Sequence, residues 1–578
     1  MPEDSETRPR VTLPQGTVVG VTQHGAYPKP VDAFLGIPYA LPPTGDRRFR
    51  PPVPVEEDAS GEKVIDASRF GPRAPAKQFL IIGPKLEESE DCLTANVFRP
   101  ASATGTGNGD KKLLPVAIYM HGGAFNRGNA AMHDTASMVG WAAAETAPFV
   151  AVSFGYRIGA LGFLPSSLSA KEGALNLGLK DQIVLMEWVR ENIHLFGGDK
   201  DNVTLIGLSA GAHSIGHHLL NYEEGKPPLF HRAVMESGAP TSRAVRHFDA
   251  EIHEQQFKDF LEAVKCPTTA QSSSEEVFKY LRSLPTEAIA AAQTKVFYEY
   301  NPSLRWAFQP VIDGEIIRRR PIDAWRQGLW HRVPILTGFN GNEGSLYVNK
   351  AMETSEQFTQ FWKTLLPQLS DADVRKINEL YPDPTADPAS PYKVEGPLAE
   401  KDGVGKMYKR IEAAYAHYAY VAPARQTAHL ASAGGRGDGD AKEGGGVPVY
   451  LYHWAQQKTL VNGAAHGENM LYEVRDPGVC GVSPGQNELA RVLHAYVTSF
   501  ICTGDPNGVS GGVERPRWEA HDNGGEGKRM KMVFGKGNEE FVGDGKGKPT
   551  PPPAELVEDV WAGTESDFWW DKVEISQQ

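Results

Sequence analysis

Gly207-Leu208-Ser209-Ala210-Gly211 matches G-x-S-x-G and stands between an apolar run, Val203 to Ile206, and a helix-like segment from about Ala210. In that context the pattern describes a nucleophile turn. Small residues on both sides of a serine let strand and helix approach closely, and the sharp turn exposes the hydroxyl. Ser209 would also lie at a helix N-terminus, where amide dipoles favour a developing negative charge. A second stretch, His121-Gly122-Gly123-Ala124-Phe125, follows directly on the apolar run Leu114 to Met120. An enzyme that forms a tetrahedral intermediate needs preorganised N–H donors at the oxyanion, and small residues after a strand can supply them. Either stretch alone could be a glycine-rich turn. Together, and in this order, they point to a serine hydrolase.

Positioning these groups requires a sheet. Leu114 to Met120 and Phe149 to Ser153 are short apolar runs of the kind found in buried strands. Asp181 to Phe196 has helical spacing and is stopped by Gly197-Gly198, and Val203 to Ile206 follows as another strand. Further strands are expected at Ala233 to Glu236, Pro334 to Gly338 and Val449 to His453, with a helix from about Asn487 to Ile501. Alternation of this kind predicts an α/β sheet fold, and no internal repeat is present. Three stretches rich in Gly, Asp and Lys read as flexible surface insertions: 101–112, 433–446 and 523–548. The triplet Arg436-Gly437-Asp438 falls in the second and is read as a chance match.

Composition narrows the class. The chain has 578 residues, 40% hydrophobic and 23% charged, which suits a large globular core and excludes a disordered scaffold. A formal charge of −13 opposes binding to nucleic acid or anionic lipid, and no basic patch offsets it. No apolar run approaches the ~18 residues of a membrane helix. The first ten residues, MPEDSETRPR, are not those of a secretory signal. Four scattered cysteines, Cys92, Cys266, Cys480 and Cys502, form neither a disulfide scaffold nor a zinc motif. The expectation is a soluble cytoplasmic protein without metal or cofactor.

The two motifs and several longer blocks resemble the type-B carboxylesterases, the branch of the α/β-hydrolase fold that includes cholinesterases and several fungal lipases. The blocks are Phe34 to Pro52, Ser89 to Val97, Asn176 to Asp199, Glu236 to Gly238, Pro310 to Gly314 and Thr503 to Asn507. They occur in family order across nearly the whole chain. The resemblance implies an α/β-hydrolase fold with a large, mixed, mostly parallel sheet, and one domain spanning residues 1–578. It also implies a small-molecule ester substrate and a triad of Ser, Glu and His. Thr337 to Gly344 matches the segment that carries the acid, which makes Glu343 the acid, and Gly463 to Glu468 matches the segment of the base, which makes His466 the base. The oxyanion donors would be the amides of Gly123, Ala124 and Ala210. Arg48 and Glu90 match a structural ion pair of the family.

Other residues have competing uses. His213 and His217 have the i, i+4 spacing of a zinc site, but no HExxH glutamate accompanies them, so they and His218 are read as packing residues. Asn202-Val203-Thr204 fits a glycosylation sequon yet runs into the nucleophile strand, where it should be inaccessible.

Departures from the family are informative. Secreted members usually close a disulfide on the cysteine matched by Cys92, and no cysteine precedes Cys92 here. Cys266 matches half of a second disulfide whose partner position holds Tyr280. Four free thiols are therefore expected. Before the serine many relatives carry Glu, whereas this chain has Leu208, and the loop from Ala74 to Cys92 contains no Trp. Both changes argue against cationic, choline-like substrates and for neutral esters. Phe79 to Ile82 is an apolar cluster suited to packing or to a short lid. A lactone hydrolase, thioesterase, acyltransferase or lipase-like enzyme would use the same site. A non-catalytic interaction protein is disfavoured by the intact triad.

Overall fold

The computed structural model describes residues 8–77, 83–103, 112–242, 245–267, 272–434, 445–522, 528–542 and 551–576. Its centre is an eleven-stranded sheet. In chain order the strands are β1 (Val21–Gln23), β2 (Val31–Pro38), β3 (Thr94–Pro100), β4 (Leu114–Met120), β5 (Val150–Phe154) and β6 (Gly198–Leu208). They continue with β7 (Arg232–Glu236), β8 (Ile335–Asn340), β9 (Val449–Trp454), β10 (Met530–Phe534) and β11 (Ala554–Glu558). Their spatial order is β11-β10-β9-β8-β7-β6-β4-β5-β3-β2-β1. Strands β4 to β10 are mutually parallel, while both edges are antiparallel. A small three-stranded sheet is formed by Arg10–Leu13, Gly16–Val19 and Val64–Asp66.

The apolar runs become strands because helices cover both faces. Along β4, Val116, Ile118 and Met120 point into one core, and Ala117 and Tyr119 into the other. The first core receives Leu185 and Trp188 from the helix Leu177–Asn192 and Ile215 and Leu219 from the helix Ala210–Leu220. The second receives Met138 and Val139 from Thr135–Glu145 and Leu493 and Tyr496 from Pro484–Thr503. A third cluster, rich in Trp and Tyr, lies among the helices Ser355–Leu365, Tyr408–Ala416 and Ala422–Ser432 and includes Ala124.

The strands expected at 114–120, 149–153, 203–206, 233–236, 334–338 and 449–453 all form, with ends shifted by a few residues. One expectation is overturned. The stretch 523–548 is not simply a flexible insertion, because Met530–Phe534 is the buried strand β10 and pairs with β9 and β11. Met530, Met532, Val533 and Phe534 give it the apolar character that the surrounding Gly and Lys conceal. Residues 104–111, 435–444, 523–527 and 543–548 of the expected insertions, and the 79–82 cluster, lie outside the described residues. All four cysteines are free.

Candidate active site

Ser209 follows β6 with φ 57° and ψ −121°, a sparsely populated backbone region that stores about 1–3 kcal/mol of strain. The turn can be this tight only because both flanking residues lack a side chain. A Cβ on Gly211 would lie 2.0 Å from the Met120 carbonyl oxygen, and one on Gly207 would lie 2.8 Å from the Gly211 carbonyl carbon. The Ser209 amide donates to Glu236 O at 2.9 Å, which ties the turn to the end of β7.

The loop after β4 reaches the same point. A Cβ on Gly122 would stand 3.2 Å from Ser209 Cβ. Fixing a carbonyl fixes the amide in the same peptide plane. His121 Nδ1 donates to Gly122 O at 2.9 Å, and so orients the Gly123 N–H. Gly123 O accepts from the amides of Asn126 and Arg127, and so orients the Ala124 N–H. Ser209 O accepts from the His213 amide at 2.8 Å, which sets the Ala210 N–H at the start of its helix. Gly123 at φ 118° and Ala124 at φ 55° are both left-handed, and Gln309 Nε2 holds Ala124 O at 3.0 Å. Burial pushes His121 down to about 4, so its imidazole is neutral and Nδ1 carries the proton it donates. Tyr156 stacks on that ring and donates to His121 O at 2.7 Å.

The Glu343 and His466 segments, 123 residues apart in the chain, meet at the carboxyl end of the sheet. Glu343 is fully buried three residues after β8; its Oε1 accepts the Asn340 amide at 2.6 Å, and its Oε2 accepts from His466 Nδ1 at 2.5 Å. The segment of His466 extends twelve residues beyond β9 and is anchored to the Glu343 loop. Asn342 N donates to Ala464 O, and Ala464 N donates to Asn342 Oδ1. His466 Nε2 is buried without a hydrogen-bond partner among the described residues. The His466 loop also abuts the residue before Ser209, since a Cβ on Gly467 would lie 2.9 Å from Leu208 Cδ2.

Residues that motif reading missed complete the surroundings. Tyr420 and Tyr347 flank the His466 ring at centroid distances of 4.7 and 5.4 Å. Tyr420 lies in a π-helical stretch, His417–Val421, and such bulges recur at functional sites. The aromatic density of 408–420 is the only trace of it in the sequence. Two further carboxyls are close: Glu412 accepts from Asn342 Nδ2 at 3.0 Å and Glu468 from the Ala465 amide at 3.0 Å. Burial pushes each up to about 7.

The other expected features also find places. His213 Nδ1 lies 3.0 Å from Ala239 O, and His218 Nε2 lies 2.7 Å from Gln182 Oε1. Burial pushes His217 and His218 down to about 3. No group of His, Cys, Asp and Glu that could hold a metal is found among the described residues. Asn202 is half-buried within β6, and its Oδ1 accepts from Arg232. Arg48 and Glu90 form a bidentate ion pair at 2.6 and 2.8 Å. No helix among the described residues is long and apolar enough to cross a membrane.

Comparison with known proteins agrees with this geometry. The carboxylesterase family model matches residues 7–539. Secreted lipase 4 of Gibberella zeae is 33% identical over 517 residues, covering 88% of this chain and 86% of that protein. Lipase 1 of Geotrichum candidum is 30% identical, with 88% and 89% covered. The acetylcholinesterase of Electrophorus electricus is also 30% identical, with 89% and 83% covered. The crystal structure of Aspergillus niger EstA superposes with a TM-score of 0.76 at 24% identity over the whole of both chains, which establishes the α/β-hydrolase fold. The chain therefore belongs to the carboxylesterase family and is a carboxylic ester hydrolase.

Proposed function

We propose that Ser209 is the nucleophile of a two-step esterase, with His466 as base, Glu343 as its acid and the amides of Gly123, Ala124 and Ala210 as oxyanion donors. The observation that carries this reading is the 2.5 Å contact between His466 Nδ1 and Glu343, with Nε2 buried and without a hydrogen-bond partner among the described residues. Glu343 fixes the imidazole tautomer and stabilises the imidazolium. His466 removes the Ser209 proton as the oxygen attacks the ester carbonyl, then returns it to the leaving alcohol. The acyl-Ser209 ester is next cleaved by water, which His466 deprotonates in turn before passing that proton to the departing Ser209 oxygen. The three amides hold the carbonyl oxygen as it becomes negative, and loss of one such donor typically costs ~100- to 1000-fold in rate. No step calls for a cofactor. Treating the folded protein with a fluorophosphonate probe should label Ser209, and Ser209→Ala should abolish both labelling and turnover of p-nitrophenyl esters. Absence of labelling in the parent protein refutes the reading.

The substrate we propose is an uncharged ester. Leu208 replaces an acidic group beside the serine and packs its side chain towards Gly467, so the base loop meets hydrocarbon there. Choline esters should be poorer substrates than neutral esters of equal size, and Leu208→Glu should narrow that gap. A lipase-like preference for long acyl chains is the second reading, supported by the names of the Gibberella and Geotrichum relatives. A panel of acyl lengths from acetate to oleate separates the two.

A reducing, cytosolic compartment is part of the same proposal, although the Gibberella relative is named as secreted. Its support is the four free thiols, with Cys92 buried. Fractionation of the producing cell tests it, and recovery of the protein in the medium rules it out.

A further inference from the structure

We propose that Asn469 is a positioning residue for the base, clamped between Asn340 and a buried pair of glutamates, so that one hydrogen-bonded chain couples nucleophile, acid and base. The inference rests on the triad proposed above.

The chain can be followed atom by atom. Glu236 O accepts the Ser209 amide at 2.9 Å, and Glu236 Oε1 accepts Asn469 Nδ2 at 2.7 Å. Asn469 Oδ1 accepts Asn340 Nδ2 at 3.3 Å. The second hydrogen on Asn340 Nδ2 goes to Ala465 O at 2.6 Å, and the Asn340 amide goes to Glu343 Oε1. His466 thus sits between two pinned points, the Ala465 carbonyl on one side and the Asn469 side chain on the other. Asn340, Asn469, Glu236 and Glu473 are each at most 2% exposed, so water does not compete for these bonds.

The anchor of the chain is unusual. Glu236 and Glu473 face one another in the core, and among the described residues no N–H donor reaches Glu236 Oε2 or either oxygen of Glu473. Among the described residues no Lys or Arg pairs with either carboxyl. Tyr119 and Tyr452 are buried phenols held well above their ordinary range, and Glu343 is a further acid. His133 Nε2 is 3.9 Å from Glu473 Oε1, and His494 Nδ1 bonds the Glu473 backbone carbonyl; burial pushes both imidazoles down to about 4. Two carboxylates in such a place cannot both ionise, so one proton is shared between them. The shared proton holds the Glu236 side chain in place while Oε1 stays available to Asn469.

A displacement of ~1 Å in a reacting group can lower turnover ~100-fold. The expected result for Asn469→Ala in the full chain is therefore a ~30- to 100-fold fall in kcat on p-nitrophenyl butyrate, with KM within about twofold of the parent. The acidic limb of its pH–rate profile should move as well. Glu236→Gln keeps an oxygen for Asn469 and offers its own N–H to Glu473, so its kcat should stay within about threefold. If Asn469→Ala does not fold, Asn469→Ser, too short to reach both partners, should show the same loss. A kcat for the Asn469 variant within threefold of the parent, or a loss in Glu236→Gln as large as in Asn469→Ala, overturns the clamp. Fluorophosphonate labelling of the parent separates the two claims. Failure there removes the triad and the clamp together, whereas labelling with undiminished turnover in the Asn469 variant removes the clamp alone.

Discussion

Gly211 and Met120 are in such close approach that a Cβ on the glycine would lie 2.0 Å from the Met120 carbonyl oxygen. Met120 is the last residue of β4, and His121 to Ala124 continue from it. A methyl group at 211 must therefore displace the strand end that launches the oxyanion loop, or unwind the turn at Ser209. Gly211→Ala is expected to lower kcat at least ~100-fold, the range seen when an oxyanion donor is lost. Gly173 offers the control: it is left-handed, at φ 74°, but nothing lies within 4 Å of its Cβ position. Gly173→Ala should lower the melting temperature by a few degrees and leave kcat unchanged. Equal kcat in the two variants would refute the steric coupling.

Glu343→Gln should separate charge from shape. The amide oxygen can still accept from the Asn340 N–H, but the group facing His466 Nδ1 loses its charge and can present an N–H instead. The imidazole is then driven to the wrong tautomer, and no carboxylate stabilises the imidazolium. In another serine hydrolase the equivalent acid-to-amide change lowers kcat ~10,000-fold, and a fall of ~1000-fold or more is expected here with little change in KM. Steady-state kinetics on p-nitrophenyl butyrate decide it, and a loss below tenfold would show that Glu343 is not the acid.

How much of this was legible in the sequence follows from the range of the interactions. Ser209 and the Gly123-Ala124 loop are local devices: the glycines, the strand before them and the helix after them are adjacent in the chain, so spacing reveals them. The buried parallel strands were legible for the same reason. Glu343 and His466 have no local signature and were found only through resemblance to a family. Asn340, Asn469, Glu473 and Tyr420 make contacts with partners far away in the chain, and no periodicity points to such contacts. Strand β10 was hidden differently, since five apolar and basic residues, Met530 to Phe534, are embedded in Gly- and Lys-rich flanks whose composition dominates the window.

Arg48 should matter to stability more than to catalysis. It pairs with Glu90 through two nitrogens, and its Nη1 also donates to the carbonyls of Leu281, Arg282 and Leu284. Both partners are about 5% exposed or less, so removal of the guanidinium strips a buried carboxylate of its cation, leaving it the Thr286 hydroxyl, and takes a donor from three carbonyls. Breaking a buried pair in this way typically costs about 3–5 kcal/mol. Arg48→Ala should lose that much in denaturant unfolding, while kcat of the folded fraction stays within about twofold. A change below 1 kcal/mol would mean that the site relaxes or admits water.

The response of stability to acid follows from the buried histidines. Burial pushes His217, His218, His253, His417 and His453 down to about 3, and His121, His133, His494 and His521 down to about 4. In the unfolded chain these imidazoles titrate near ~6.5. Below that pH the unfolded state binds protons that the native state refuses, so their contribution is intact above about 6.5 and is lost as pH falls towards 4. Buried carboxyls act in the opposite sense. Glu412 and Glu468 are pushed up to about 7, and Glu236 and Glu473 are also raised by burial, so the native state keeps protons that the unfolded chain has released. Their contribution is complete below the unfolded value of ~4.3 and disappears as pH rises through about 7. Nine histidines outweigh four carboxyls between these limits, so the melting temperature should fall steadily from pH 7 to pH 5. Differential scanning calorimetry across that range checks the sign. A melting temperature that rises on acidification would show that the carboxyls dominate, and replacing His253, which burial pushes down to about 3, by Phe should flatten the acid limb.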